Sequence, residues 1–287
     1  MNNNILHSGK VILAGAGPGD PELISVKACN ALGRADVIIC DRLVSDTILR
    51  NYANPIAEII YAGKQAGKGY STRQTTINAL LVEHALAGKQ VVRLKGGDIA
   101  FFSNVLDELQ TLKQFNIPVE IIPGITAASG ASASAAIPLT ARNYSTAVRF
   151  LTFYSEEIIP ENVWRDLATT DDTLVFYMSA NKAYELAQQL IRFHPSPEKK
   201  IAVIEQATTP MQYVEVIEFT AIHTLRNRKF KSPSLIIIGS VVNLHQQFKW
   251  TRNYSGNEEY FRPLSRAVSA AKADKALFDN LHFSPQL

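Results

Sequence analysis

Apolar residues in the first half of the chain come in short blocks separated by longer stretches of helical period. "KVILAGAG" (10–17) is apolar up to its glycines, the pattern of a strand buried on both faces. "DVIIC" (36–40), "AEIIYAG" (57–63), "QVVRLKGG" (90–97) and "VEIIPG" (119–124) repeat it. Between them, "PELISVKACNALGRA" (21–35) predicts a helix with Leu23, Val26, Lys27, Cys29, Ala31 and Leu32 around its inner side. "TRQTTINALLVEHALAGK" (72–89) predicts a second helix, closed by Gly88. "NVLDELQTLKQFN" (104–116) predicts a third, with Val105, Leu109, Leu112 and Phe115 as its apolar stripe. Strands alternating with helices imply an α/β fold with a parallel, doubly wound sheet. Ligands of such sheets lie beyond the carboxyl ends of the strands. The glycine turns at 15–19, 63–69, 96–97 and 124 all fall at that edge.

The rhythm pauses near "IPLTARNYS" (137–145). Strand patterns then crowd together: "AVRFLTFY", "TLVFYM", "KIAVIEQ", "YVEVIEF" and "SLIIIGSVV", with one helix in "NKAYELAQQLIRF". Fewer helices between strands predict a mixed sheet. The expected division is an N-terminal α/β domain over 8–143, a C-terminal α/β domain over 144–250, and a polar tail over 251–287. An amphipathic helix around "RAVSAAKADKALFDNL" is expected in that tail.

Composition narrows the function classes. The 287 residues are 46% hydrophobic and 19% charged, enough for a sizeable core. A net charge of +3 with no basic stripe argues against a nucleic-acid partner. Cys29 and Cys40 make no CxxC pair or disulfide framework, and the start carries no basic, apolar leader. A cytoplasmic protein is expected. Residues 121–141 are uncharged and long enough to span a bilayer, but their prolines, serines and alanines read as a loop and a small-residue helix, "AASGASASAA". The six histidines are scattered without ligand spacing, so no metal is expected.

"GAGPGDPEL" (15–23) is nearly a dinucleotide loop. Its third glycine position holds Asp20, and Pro18 removes an N–H that a phosphate would want. Asp20 reads as an N-cap, Pro21 as the first helical residue and Glu22 as a first-turn acid, so the helix end is served by the protein's own carboxylates.

With "DRLVS" (41–45), "AGKQAGKG" (62–69), "RLKGGD" (93–98), "PGITAASGASASAAIPLT" (123–140), "LVFYM", "EQATTP" and "SPSLIIIGSVV", this loop closely resembles the uroporphyrinogen-III C-methyltransferases of the tetrapyrrole methylase superfamily. The resemblance runs from about residue 10 to Trp250. It implies two α/β/α domains with the active-site cleft between them, and a homodimer. It implies S-adenosyl-L-methionine (SAM), a nucleoside sulfonium without phosphates, with S-adenosyl-L-homocysteine as product. The implied reaction methylates two pyrrole carbons of uroporphyrinogen III, giving precorrin-2 on the way to sirohaem and cobalamin. By correspondence Asp41 is the proton acceptor and Lys64 the donor. Pro18, Gly96, Gly97, Asp98, Phe101, Thr126, Ala127, Met178 and Ala207 are the implied cofactor contacts. Arg42, Lys68 and Arg142 are the expected partners of the substrate's carboxylates, with Lys64, Arg93 and Arg149 as further candidates. No dehydrogenase or chelatase module is recognisable in these residues, so methylation alone is expected.

One segment departs from the resemblance. After "KGGD" relatives read P-F-V-F-G-R-G-G-E-E, where this chain reads "IAFFSNVLDE" (99–108). Ser103 or Asn104 is expected to cap the helix that follows, with Asp107 and Glu108 in its first turn. Two alternatives stand beside the main reading. One is another methylase of the superfamily, acting on a later corrin or on RNA. The other is a non-catalytic tetrapyrrole carrier.

Overall fold

The apolar runs form strands. In the computed structural model, which describes residues 9–63, 72–154 and 159–261, the chain divides into two units. Among those residues one unit comprises 9–16, Ile24–Gly124 and Phe261, and the other Gly17–Leu23 and Ile125–Tyr260. The small-residue segment 125–143, expected with the first domain, groups with the second.

The first unit carries β1 (Lys10–Gly15), β2 (Val37–Cys40), β3 (Glu58–Tyr61), β4 (Gln90–Lys95) and β5 (Val119–Ile122). They form one wholly parallel sheet in the order β3-β2-β4-β1-β5. The side chains alternate between two apolar layers. Ile12, Ala14, Ile38, Cys40, Val92 and Leu94 pack on α1 (Val26–Leu32) and α2 (Asp46–Tyr52). Val11, Leu13, Val37, Ile39 and Val91 pack under α3 (Gln74–Leu86) and α4 (Val105–Gln114).

The helix expected over 21–35 is split. Pro21–Leu23 is a single 3-10 turn, and α1 begins only at Val26, capped by Ser25, whose Oγ accepts from the Ala28 N–H at 3.3 Å. Asp20 caps the 3-10 turn instead, its Oδ1 accepting from Glu22 N–H at 2.9 Å. The break rotates the helix. Ala28, Ala31 and Leu32 face the core, while Val26 and Lys27 point to solvent. α2, which the pattern did not predict, is only seven residues long.

The second unit carries α5 (Ala127–Ser134), β6 (Val148–Thr152), α6 (Glu161–Thr169), β7 (Thr173–Tyr177), α7 (Ala183–Ile191), β8 (Lys200–Glu205), β9 (Tyr213–Glu218), β10 (Ser234–Gly239) and α8 (Leu244–Phe248). Its sheet is mixed as expected, in the order β6-β7-β10-β8-β9, with β6–β7 parallel and the other pairs antiparallel. α6, absent from the pattern-based reading, buries Trp164, Leu167 and Ala168 on one face. The connector after Trp250 lies against β9, where Asn253 exchanges hydrogen bonds of 2.8 and 2.9 Å with Val214 N–H and C=O. The tail helix expected around 266–281 lies outside the described residues. No helix among the described residues is long and apolar enough to cross a membrane.

Lys199 closes the C-terminus of α6. Its buried ammonium donates to Ala168 C=O at 2.9 Å and to Thr170 C=O. A cation there meets the carbonyls that the last helical turn leaves over. Lys199→Met should therefore lower stability by about 1–3 kcal/mol, read as a shifted urea midpoint at an unchanged m-value.

Candidate functional site

Each unit gathers part of the expected site residues. In the first, the turns after β1, β4 and β5 touch through bare backbone. A Cβ built on Gly15 would stand 2.6 Å from Gly97 O and 2.7 Å from Gly124 Cα, and one on Gly124 would stand 2.3 Å from Gly97 O. No residue larger than glycine fits at 15 or 124 without moving main chain. Asp98 fastens this junction. Its Oδ2 accepts from Gly124 N–H and its Oδ1 from Ala100 N–H, both at 2.7 Å. Gly96 abuts Leu43 of the "DRLV" turn, 2.8 Å from a built Cβ to the Leu43 Cβ. So Gly96, Gly97 and Asp98, expected as ligand contacts, each also hold strand ends together, and the Asp98 carboxylate is already engaged by two amides. Phe101 follows on the surface, 36% exposed.

Asp41 sits at the end of β2, its side chain 28% exposed. Its Oδ1 accepts from Arg93 Nη2. Arg93 was a candidate for the substrate's carboxylates. It is instead 2% exposed and committed internally, donating also from Nε to Glu108 Oε1 at 3.1 Å and from Nη1 to Ile39 C=O at 3.1 Å. Lys95 Nζ reaches the same Glu108 oxygen at 2.9 Å. Burial first, and then the neighbouring Arg93, hold the Lys95 pKa below its ordinary value, against the opposite pull of Glu108 and Asp41. Burial opposes the charge of Arg93 as well, but Asp41 and Glu108 outweigh it and raise its pKa. Glu108 and Lys95 are functional candidates that the sequence reading passed over. Arg42 follows Asp41 in the same turn, half-buried. Lys64 and Lys68 lie outside the described residues.

The start of α4 differs from expectation. Asn104 is its N-cap residue, in a left-handed conformation (φ 54°) and with no side-chain cap bond. Ser103 Oγ donates to Ile99 C=O instead.

In the second unit, Tyr177 organises the start of α5. Its hydroxyl lies 2.6 Å from Thr126 Oγ1 and accepts from Ala128 N–H at 3.1 Å. Thr126 and Ala127 are half-buried there. Pro18 packs on Gly130, where a built Cβ would stand 2.6 Å from the ring. Asp20 N–H donates to Thr208 Oγ1 at 3.1 Å, next to the half-buried Ala207. Met178 follows β7 with φ 54° and 57% exposure, so it is not a core residue. Arg142 is exposed in the turn closed by Ala141 and Ser145. Arg149, the other arginine considered, is tied to Asp166 and Asp172 and holds α6 against β6.

The arrangement is that of an α/β protein with its chemistry-bearing residues on glycine turns at strand ends. The family model for the tetrapyrrole (corrin/porphyrin) methylases matches residues 10–222, and the chain belongs to that family. It is 46% identical over 243 residues to a siroheme synthase of Acinetobacter baylyi, covering 84% of this chain and 53% of the relative. It is 42% identical over 254 residues to a siroheme synthase of Escherichia coli, covering 88% and 55%. The chain thus spans about half the length of the curated relatives it matches. The uroporphyrin-III C-methyltransferase of Thermus thermophilus superposes with a TM-score of 0.68 at 32% identity, over 82% of this chain and 94% of that one. Its complex with S-adenosyl homocysteine gives 0.67 at 31% identity over the same shares. A cobalt precorrin-4 methyltransferase gives 0.71 at 26%, over 81% and 95%. Among the described residues no group of His, Cys, Asp and Glu side chains could hold a metal ion.

Asp98→Asn presents one amide group to a backbone N–H that now has a carboxylate oxygen. It should cost about 1–3 kcal/mol, and amide hydrogen exchange at Gly124 or Ala100 should accelerate first.

Proposed function

We propose that the chain is a SAM-dependent C-methyltransferase that converts uroporphyrinogen III to precorrin-2 by two methylations. The observation that carries the reading is Asp41, half-open to solvent and anchored on a buried arginine beside the Gly96–Asp98 turn. The match to the Thermus thermophilus enzyme across most of both chains supports it.

The residues present suit a nucleoside sulfonium. The junction of Gly15, Gly97 and Gly124 exposes backbone rather than cations, and the "GDPE" turn already satisfies its own amide through Asp20. Gly96, Gly97, Asp98, Phe101, Pro18, Thr126, Ala127, Met178 and Ala207 are the residues that would hold the cofactor. When bound it supplies an electrophilic methyl group on positive sulfur. The protein's share is to orient an electron-rich pyrrole carbon in line with that methyl group and to manage the proton that leaves. Asp41 takes that role as acceptor, because its carboxylate is held by Arg93 and still reaches solvent. Lys64 is the proposed donor, and Arg42, Lys68 and Arg142 would meet the substrate's acidic substituents, arginine through two parallel donors. A cytoplasmic homodimer serving sirohaem or cobalamin formation completes the proposal. The second reading, a later corrin as substrate, draws on the TM-score of 0.71 with the cobalt precorrin-4 enzyme.

Purified protein with SAM and enzymatically made uroporphyrinogen III should give a product heavier by two methyl groups, followed by mass and absorbance. Methylation only of a later corrin would favour the second reading, and SAM binding without any methylation the carrier. Asp41→Asn leaves buried Arg93 with one anion fewer and should lower the melting temperature, while keeping S-adenosyl-homocysteine affinity and losing about 10²-fold or more in turnover. An active Asp41→Asn enzyme would remove Asp41 from the mechanism.

A further inference from the structure

Glu108 is the one acid of the α4 first turn that does not face water. Asp107 beside it is exposed, as helix-start carboxylates usually are, whereas Glu108 is 0% exposed. A buried carboxylate is costly unless charge and hydrogen bonds compensate it. Here the compensation comes from β4, with Arg93 Nε at 3.1 Å and Lys95 Nζ at 2.9 Å, both on Oε1. Oε2 has no hydrogen-bond partner among the described residues. An arrangement serving stability alone would do as well with apolar side chains of similar volume.

The geometry leads outward from Glu108. The guanidinium is planar, so fixing two of its nitrogens fixes the third. Glu108 holds Nε, Ile39 and Leu94 carbonyls hold Nη1 at 3.1 and 3.3 Å, and Nη2 is thereby aimed at Asp41. Two cations, Arg93 and Lys95, face two anions, Asp41 and Glu108. Three of the four are buried, and only Asp41 opens to solvent.

We infer that Glu108 is a positioning residue, which through Arg93 fixes the place of the Asp41 carboxylate and with Lys95 keeps it in an electrically balanced cluster. The inference rests on the reading of Asp41 as proton acceptor.

The balance makes a testable signature. The charged groups acting on Lys95 are Arg93 on its own strand, Glu108 from α4 and Asp41 from the end of β2. Asp46 of α2 acts on Cys40 of β2, whose thiol burial pushes up to about 12, so it stays neutral. α3 contributes the amides of Gln74 and Asn78. Glu108→Gln leaves the cluster with one excess positive charge. It also removes the main support for the Lys95 proton, whose pKa burial and Arg93 already lower. As pH rises Lys95 then sheds its proton, and the cluster returns to neutral.

The experiment compares wild type, Glu108→Gln and Glu108→Gln/Lys95→Met from about pH 6 to about pH 9, reading kcat, KM, S-adenosyl-homocysteine affinity and melting temperature. Glu108→Gln should bind S-adenosyl homocysteine within about twofold of wild type and lose about tenfold or more in kcat near neutrality. Its kcat deficit should shrink as pH rises. Its melting-temperature deficit should shrink in the same direction, because between a depressed folded pKa and the ordinary lysine value of 10.5 the unfolded chain binds the extra proton. The double variant, neutral at every pH, should recover both quantities and show no such pH-dependent gain. If Glu108→Gln folds poorly, the double variant still reports, since restored folding with restored kcat supports the inference. A folded Glu108→Gln enzyme with wild-type kcat throughout overturns it, as does a pH-independent deficit that Lys95→Met fails to relieve. An inactive wild type would defeat the reaction assignment instead. The melting curves then decide the cluster on their own, a flat deficit counting against it.

Discussion

Two cations on the central strand of a parallel sheet have to be neutralised from outside the sheet. β4 lies third in the order β3-β2-β4-β1-β5, with neighbours on both sides. Its Val91, Arg93 and Lys95 face the α3–α4 layer, so that layer is apolar at one end and ionic at the other. Glu108 can reach both cations only if α4 is docked with one particular turn inward. Asp41 reaches Arg93 because β2 runs beside β4, the Asp41 N–H donating to Leu94 C=O at 3.1 Å as the next rung of that ladder. The position of α4 thus follows from one electrostatic requirement. Removing a single partner from such a buried set typically costs about 3–5 kcal/mol, more than most single apolar truncations at a surface.

This requirement also separates what the sequence shows from what it hides. β1 and β2 are buried along nearly their whole length and write themselves as unbroken apolar runs, and β3, β4 and β5 were legible from shorter apolar blocks. The glycine turns at 15, 97 and 124 were legible for a related reason, since only glycine lets three strand ends meet. Short helices were not: α2 buries only Ile48 and Leu49, too little to set a period. The helix after Pro21 was overextended because Asp20, Pro21 and Glu22 are good helix starters, and the competing cap at Ser25 won. Glu108 was passed over as an ordinary first-turn acid. Its signal was there, at the inward position between Val105, Leu109 and Leu112, opposite a strand that breaks its apolar run with Arg93 and Lys95. Arg93 and Arg149 were read as ligands for acidic substituents because arginine chemistry is the same toward a substrate and toward a neighbouring aspartate. Only burial tells the two apart.

The segment in which this chain departs from its relatives shows what the frame tolerates. Ile99, standing where relatives have proline, is 2% exposed and joins the α3–α4 core. Asp98 engages Ala100 N–H, and Ser103 bonds back to Ile99. The left-handed residues are Phe102 and Asn104, at φ 52° and 54°, not the positions where relatives carry glycine. Such conformations cost roughly 1–2 kcal/mol outside glycine, with asparagine the better suited of the two. The turn therefore keeps both ends fixed, at Asp98 and at α4, while its middle presents Phe101 and Phe102 outward.

That separation bears on the proposed chemistry. The arginine that relatives carry at position 104 is here an exposed asparagine, so one positive charge is missing from the solvent side of the turn. The Arg93–Glu108–Lys95–Asp41 cluster lies on the inner side of α4 and is balanced without it. A charge at an exposed site is screened by water and salt, whereas the same charge inside the cluster is not. On the proposed reading the departure then changes how an acidic substituent of the tetrapyrrole is gripped, and leaves the proton acceptor as it was. The two effects belong to different residues of one helix start, the exposed N-cap Asn104 and the buried Glu108 of the first turn.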